Sequence, residues 1–152
     1  MRAAQSGTTT VEFAIVAAVL FVVMFGVIEF GRTLFTLSLL NEGARRGARV
    51  AAVCTLNDPK IADETIFASV PDLQASNIVV EYLNQNGGLI GDPAGNFLLI
   101  RYVRVRIVNY SYRMWIPFLD ITFNAPEFAT TLPRESLGVP RGEAIAPCSA
   151  LG

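Results

Sequence analysis

The sequence predicts an α+β protein: a long N-terminal helix whose first part is long and apolar enough to cross a membrane, followed by a small domain with an antiparallel sheet of two to three strands. Three observations predict it. Every residue from Phe13 to Ile28 is apolar or glycine. A helical pattern then continues as far as Cys54 without a proline. Further on, Leu98 to Tyr112 ("LLIRYVRVRIVNYSY") alternates apolar and polar side chains, the period of a half-buried strand.

The 152 residues leave room for one modest domain plus an anchor. Hydrophobic residues make up 52% of the chain against 16% charged, and the excess is local to the first run. Counted from Val11 to Phe30, that run has the ~20 residues a helix needs to cross a bilayer core, with Glu12 and Glu29 near its two ends. No small-residue cleavage site follows it, since Glu29-Phe30-Gly31-Arg32 and then bulky residues come next. It therefore reads as a retained anchor rather than a signal peptide.

From Thr33 to Val53, Leu34, Leu37, Leu40, Ala44, Gly47, Ala48 and Ala51 recur near helical spacing, and Glu42 precedes Arg45 and Arg46 in the acid-first order that favours a helix. One helix from about Thr9 to Cys54 follows, on the order of 65–70 Å long, so its outer half needs a domain to cover it. Ala14 with Ala18, and Gly43 with Gly47, have the four-residue spacing of small side chains that lets helices approach closely, beside ordinary usage of both residue types. Glu29 reads as an interfacial acid at the end of the span, with an intramembrane role as the alternative.

Asn57-Asp58-Pro59 then punctuates the chain, with Asp58 as N-cap and Pro59 in the first position of a short helix reaching about Ala68; Val70-Pro71 ends it. Ile78 to Leu83 reads as a strand, and the Asn- and Gly-rich stretch from Asn84 to Asn96 as the loop of a hairpin. The return strand, Leu98 to Tyr112, puts Val103, Val105 and Ile107 on a core face and Tyr102, Arg104, Arg106, Val108, Tyr110 and Tyr112 on the other. Phe118 to Phe123 and Phe128 to Leu132 supply a third strand, with Pro126 in a loop or edge, and the remainder is an irregular tail until Cys148 tethers it.

Net charge is −1 and histidine is absent, which argues against a basic nucleic-acid surface and a histidine-centred active site. Arg104 and Arg106 beside Tyr102, Tyr110 and Tyr112 imitate a base-stacking platform, but they read more simply as the solvent face of a strand. The glycine-rich loop lacks the lysine and helix of a phosphate site, and no Ser or Cys has a histidine to activate it. No catalytic residue, metal site, cofactor, nucleic acid or small-molecule substrate is expected. The two cysteines, Cys54 and Cys148, suit one long-range disulfide in an oxidising compartment; two unpaired thiols are the alternative.

Glu12 sits at the entrance of the apolar run with Gly7 five residues before it. This arrangement resembles type IV prepilins and pseudopilins, in which a short leader ends in Gly and a Glu at the fifth mature position opens the hydrophobic helix. More narrowly, Gly7-Thr8-Thr9-Thr10-Val11-Glu12-Phe13-Ala14, Gly26-Val27-Ile28-Glu29-Phe30-Gly31-Arg32 and Asn41-Glu42-Gly43-Ala44-Arg45-Arg46-Gly47-Ala48-Arg49 are similar to the TadE-like family of the tight-adherence (Tad) pilus system. Tyr110-Ser111-Tyr112 with Ile116-Pro117-Phe118 adds a less specific likeness to the family's C-terminal half.

The resemblance implies a leader at residues 1–7, cut between Gly7 and Thr8 by a prepilin peptidase that reads Gly7, Thr8, Glu12 and Phe13. It implies a membrane-spanning part at 8–32, an extension of the same helix at 33–56 and an extracytoplasmic domain at 57–152. It further implies a minor pseudopilin-like role in the bacterial inner membrane or an extracellular pilus, with other pilins or pseudopilins and the inner-membrane assembly platform as partners. In such assemblies Glu12 would meet the terminal amine of a neighbouring subunit, one charge compensating another in lipid. Two features depart from the family. The leader carries only Arg2, and no proline precedes Pro59, which implies a straighter helix. Arg32, Arg45, Arg46 and Arg49 follow the span, so the positive-inside rule alone would put the domain in the cytoplasm, against the motif and the cysteine pair. The alternative is an unprocessed single-pass envelope accessory protein.

Overall fold

The first helix, α1, is continuous from Ser6 to Val53, 48 residues and about 72 Å. This computed structural model describes residues 6–66, 70–115, 121–139 and 148. The remaining elements are α2 (Pro59–Thr65), β1 (Ile78–Leu83), β2 (Tyr102–Ile107), β3 (Ser111–Arg113), β4 (Thr122–Asn124) and β5 (Phe128–Pro133). The first half of α1 is bare, with its most apolar window entirely unburied by the rest of the chain.

Only the second half of α1 carries the domain. Its buried residues, Glu29, Thr36, Leu40, Gly43, Ala44, Gly47, Ala48, Ala51 and Ala52, form one stripe at helical spacing. Alanine there leaves room for a sheet to lie close. β1, β2 and β5 form that sheet in the order β1-β2-β5, both pairs antiparallel. Its inner face presents Val103, Val105 and Ile107, all fully or almost fully buried, with Val80 opposite Val105 and Tyr82 opposite Val103. Val103 and Val105 pack with Ala48, Ala51 and Ile61 in one cluster, Ile107 with Leu40 and Ala44 in a second. On the outer face Glu81 binds Arg104 at 2.6 Å and Arg106 at 2.8 Å, and Arg106 continues to Glu127. Burial raises the Glu81 carboxyl pKa, but hydrogen bonds and charge from the two arginines outweigh it and hold it below the ordinary value.

The chain ends its first helix as the sequence predicts, with Asp58 capping α2 through a bond from the Lys60 N–H (3.0 Å) and Pro59 in the first turn. The last carbonyls of α1 are satisfied from far away: Glu135 N–H donates to Ala52 O at 3.0 Å and Gly138 N–H to Val53 O at 2.6 Å. Gly138 has φ +76°, and a side chain there would press on the Thr55 backbone, so glycine is required.

Three expectations need correction. The short helix ends at Thr65 rather than near Ala68, where residues 67–69 lie outside the described ones. The long strand from Leu98 to Tyr112 is three pieces: a 3-10 turn at Phe97–Leu99, then β2, then β3 in a separate two-stranded sheet with β4. Asn109 adopts φ +54°, a left-handed conformation Asn tolerates, and breaks the ladder. Asn77, more than thirty residues upstream, clamps this corner by donating from Nδ2 to Val108 O and Asn109 O, both at 3.1 Å. The alternation slips at the corner, so Tyr110 and Tyr112 are buried rather than on the outer face with Arg104 and Arg106. The expected third strand is likewise two elements: β5 joins the main sheet and β4 pairs with β3, while residues 116–120, with Ile116-Pro117-Phe118, lie outside the described ones.

Candidate functional site

Two regions of α1 hold the residues singled out from the sequence. At its start Thr8, Glu12 and Phe13 are exposed, and nothing lies within 4 Å of where a Gly7 side chain would be. Residues 1–5 of the expected leader are outside the described ones. Ala14 and Ala18 are exposed too, so the domain leaves this whole face open. Exposed Phe13, Phe21, Val22 and Val19 surround the helix on all sides, a surface suited to lipid or to other apolar helices and not to water.

Gly43 and Gly47 are used inside the subunit. A Cβ on Gly43 would stand 2.5 Å from Thr65 O, and one on Gly47 would overlap Thr65 Oγ1, with Val105 Cγ1 at 3.3 Å. The small-residue spacing seats α2 against α1 in the same chain. Thr65 is fully buried, its hydroxyl held by donating to Ile61 O at 2.6 Å.

Between these regions lies a cluster that sequence reasoning missed. Glu29, 6% exposed, accepts from Tyr112 OH at 2.9 Å and from the Trp115 backbone N–H at 3.2 Å through Oε1, and from Arg32 at 2.9 Å through Oε2. The Arg32 guanidinium lies over the rings of Tyr112 (5.5 Å) and Trp115 (4.6 Å). Burial, then the hydrogen bond and charge of Glu29, push the Tyr112 hydroxyl pKa up, with Arg32 opposing. The carboxylate at the end of the apolar run thus docks the β3–β4 hairpin onto the helix. A local signal existed in the acid three residues before Arg32, but nothing in the local pattern pairs it with Tyr112, more than eighty residues later.

At the far end of α1, Cys54 and Cys148 are bonded with Cα atoms 5.4 Å apart. Among the described residues no three His, Cys, Asp or Glu side chains gather to hold a metal ion.

Helix and domain together have the layout of a membrane-anchored protein: among the described residues one apolar N-terminal helix is long enough to cross a bilayer and bare over that length, with a small α+β domain docked on its distal half. Residues 7–49 match the family model described as TadE-like protein, so this first third of the chain is similar to that family. The match spans the three sequence motifs and includes Gly7, Glu12 and Glu29. No curated protein and no solved structure matches the chain.

Proposed function

We propose that the chain is a minor pseudopilin-like subunit of a Tad pilus, processed by a prepilin peptidase between Gly7 and Thr8 and acting by helix packing with other pilins or pseudopilins and the inner-membrane platform. It catalyses nothing; it is itself a peptidase substrate. The observation that carries the reading is the coincidence of the TadE-like match over residues 7–49 with an α1 whose first half is apolar and unpartnered. Glu12, exposed on that half, is the acid available to a neighbour's new terminal amine. The spare small-residue pair for packing between subunits is Ala14 and Ala18, since Gly43 and Gly47 already contact Thr65. The disulfide between Cys54 and Cys148 agrees with an extracytoplasmic domain. The second reading is an unprocessed single-pass membrane-anchored envelope accessory protein; separately, the Arg-rich segment after the span would by the positive-inside rule alone put the domain in the cytoplasm.

Terminal sequencing of the chain from cells with an active prepilin peptidase separates the two. Threonine at position 8 as the first residue, lost in Gly7→Val, is the expected result; full-length chains alone would reject processing.

A further inference from the structure

Trp115 is 76% exposed, with its backbone fixed to the helix residue at which the apolar run ends. The Trp115 backbone N–H and the Tyr112 hydroxyl both donate to Glu29 Oε1, which sets β3 and Trp115 at the level of that boundary. Ile121, 41% exposed, is paired with Met114, its carbonyl accepting from Met114 N–H at 2.9 Å. Phe30, 66% exposed, is on the helix at the same level. Arg32 stacks on the indole from one turn further along.

The geometry points to Trp115, just past the end of β3, as a second membrane contact: its indole sits in the headgroup layer of the bilayer that α1 spans, with Arg32 beside it facing lipid phosphate. This rests on the membrane-anchored reading of α1 but not on pilus assembly. The depth follows from dimensions. Polar layers add ~5–7 Å on each side of the hydrocarbon core, and the few residues from Ile28 to Arg32 climb about 6 Å along a helix. Trp115 and Arg32 therefore fall within that layer. An indole is favoured there because its ring is apolar and its N–H polar, and an arginine because it keeps its charge hydrated while meeting phosphate. In water the same tryptophan would be a large apolar ring held out of the core by a backbone bond. Against the bilayer it fixes the tilt and rotation of the domain, which a single straight helix leaves free.

Trp115 is the only tryptophan in the chain, so its emission reports this site alone. The full chain is reconstituted in phosphatidylethanolamine–phosphatidylglycerol vesicles containing lipids brominated near the headgroup or near the bilayer centre. Shallow bromines are expected to cause a roughly twofold loss of Trp115 emission, and deep bromines much less, as for an interfacial indole. As a control, Trp115→Phe combined with Phe21→Trp moves the reporter into the span, where deep bromines should quench it. Quenching of the control but not of Trp115 would overturn the inference and leave the span intact. An unquenched control would remove the span and the inference with it. Trp115 emission that is blue-shifted with rising protein-to-lipid ratio, yet indifferent to brominated lipid, would assign the site to a neighbouring copy and also overturn it.

Discussion

Replacing Gly47 with alanine tests the contact on which the domain's seat depends. In an exposed helix this change would stabilise by about 0.5–1 kcal/mol, because glycine loses more backbone freedom on folding. Here the added Cβ would overlap Thr65 Oγ1, with Thr65 Cβ and Val105 Cγ1 both at 3.3 Å. Thr65 cannot swing away, being fully buried and bonded to Ile61 O. Overpacking of a tight core costs about 1–3 kcal/mol, so the net expectation is a loss of about 1–2 kcal/mol. Thr65→Ala removes the obstructing oxygen and leaves its Cβ as a close neighbour. The double variant Gly47→Ala/Thr65→Ala should therefore recover about 1 kcal/mol or more relative to the sum of the singles, a coupling measurable by a double-mutant cycle. Gly43→Ala serves as the contrast, because its Cβ would meet the Thr65 backbone oxygen, which side-chain truncation does not move. The assay is denaturant unfolding of the full chain in detergent micelles, followed by far-UV circular dichroism. A stabilised Gly47→Ala, or a Thr65→Ala that rescues both glycine variants equally, would refute the argument.

Glu12→Ala is expected to insert at least as well as the parent, since an acid near the end of a span costs less than the ~2.5–3.5 kcal/mol of one at its centre, yet to fail to co-purify with its pilin partners; normal co-purification and piliation would leave Glu12 a boundary residue. Cys148→Ser should lower stability by up to ~4–5 kcal/mol by the chain-entropy estimate, given a sequence separation of 94, and a non-reducing mass measurement on envelope protein should find no free thiols. For Glu81 the folded pKa is depressed, so the stabilisation from its arginine pairs is present in full above the ordinary carboxylate value and is lost as pH falls through the lowered one. Glu81→Gln should flatten the acid limb of the stability profile below about pH 4.5 while changing little between its neutral and mildly acidic values; an unchanged acid limb would show the pairs to be energetically idle.

Local chemistry determined the elements whose causes lie within a few residues. The uncharged run makes α1 apolar all round, and its unbroken helical period carries it to Val53. Asp58-Pro59 starts α2 because one side chain caps it and one ring needs no donor. The period-two alternation of Val103, Val105 and Ile107 names the core face of β2 because successive side chains of a strand point to opposite sides. Gly7 and Glu12 stand out through the resemblance of their arrangement to prepilins, and their roles are proposals. Tertiary structure decided the rest, because the partners come from distant parts of the chain. The Leu98–Tyr112 alternation has no local mark of its break; Asn77 and Asn109 make it by meeting at a corner, which turns Tyr110 and Tyr112 inward. Gly43 and Gly47 look the same whether a neighbour's helix or the chain's own Thr65 fills the gap, and only the fold chooses Thr65. Glu29 reads as a boundary acid until the returning hairpin brings Tyr112 and Trp115 to it, since a carboxylate's donors are set by proximity in space and leave no period in the sequence.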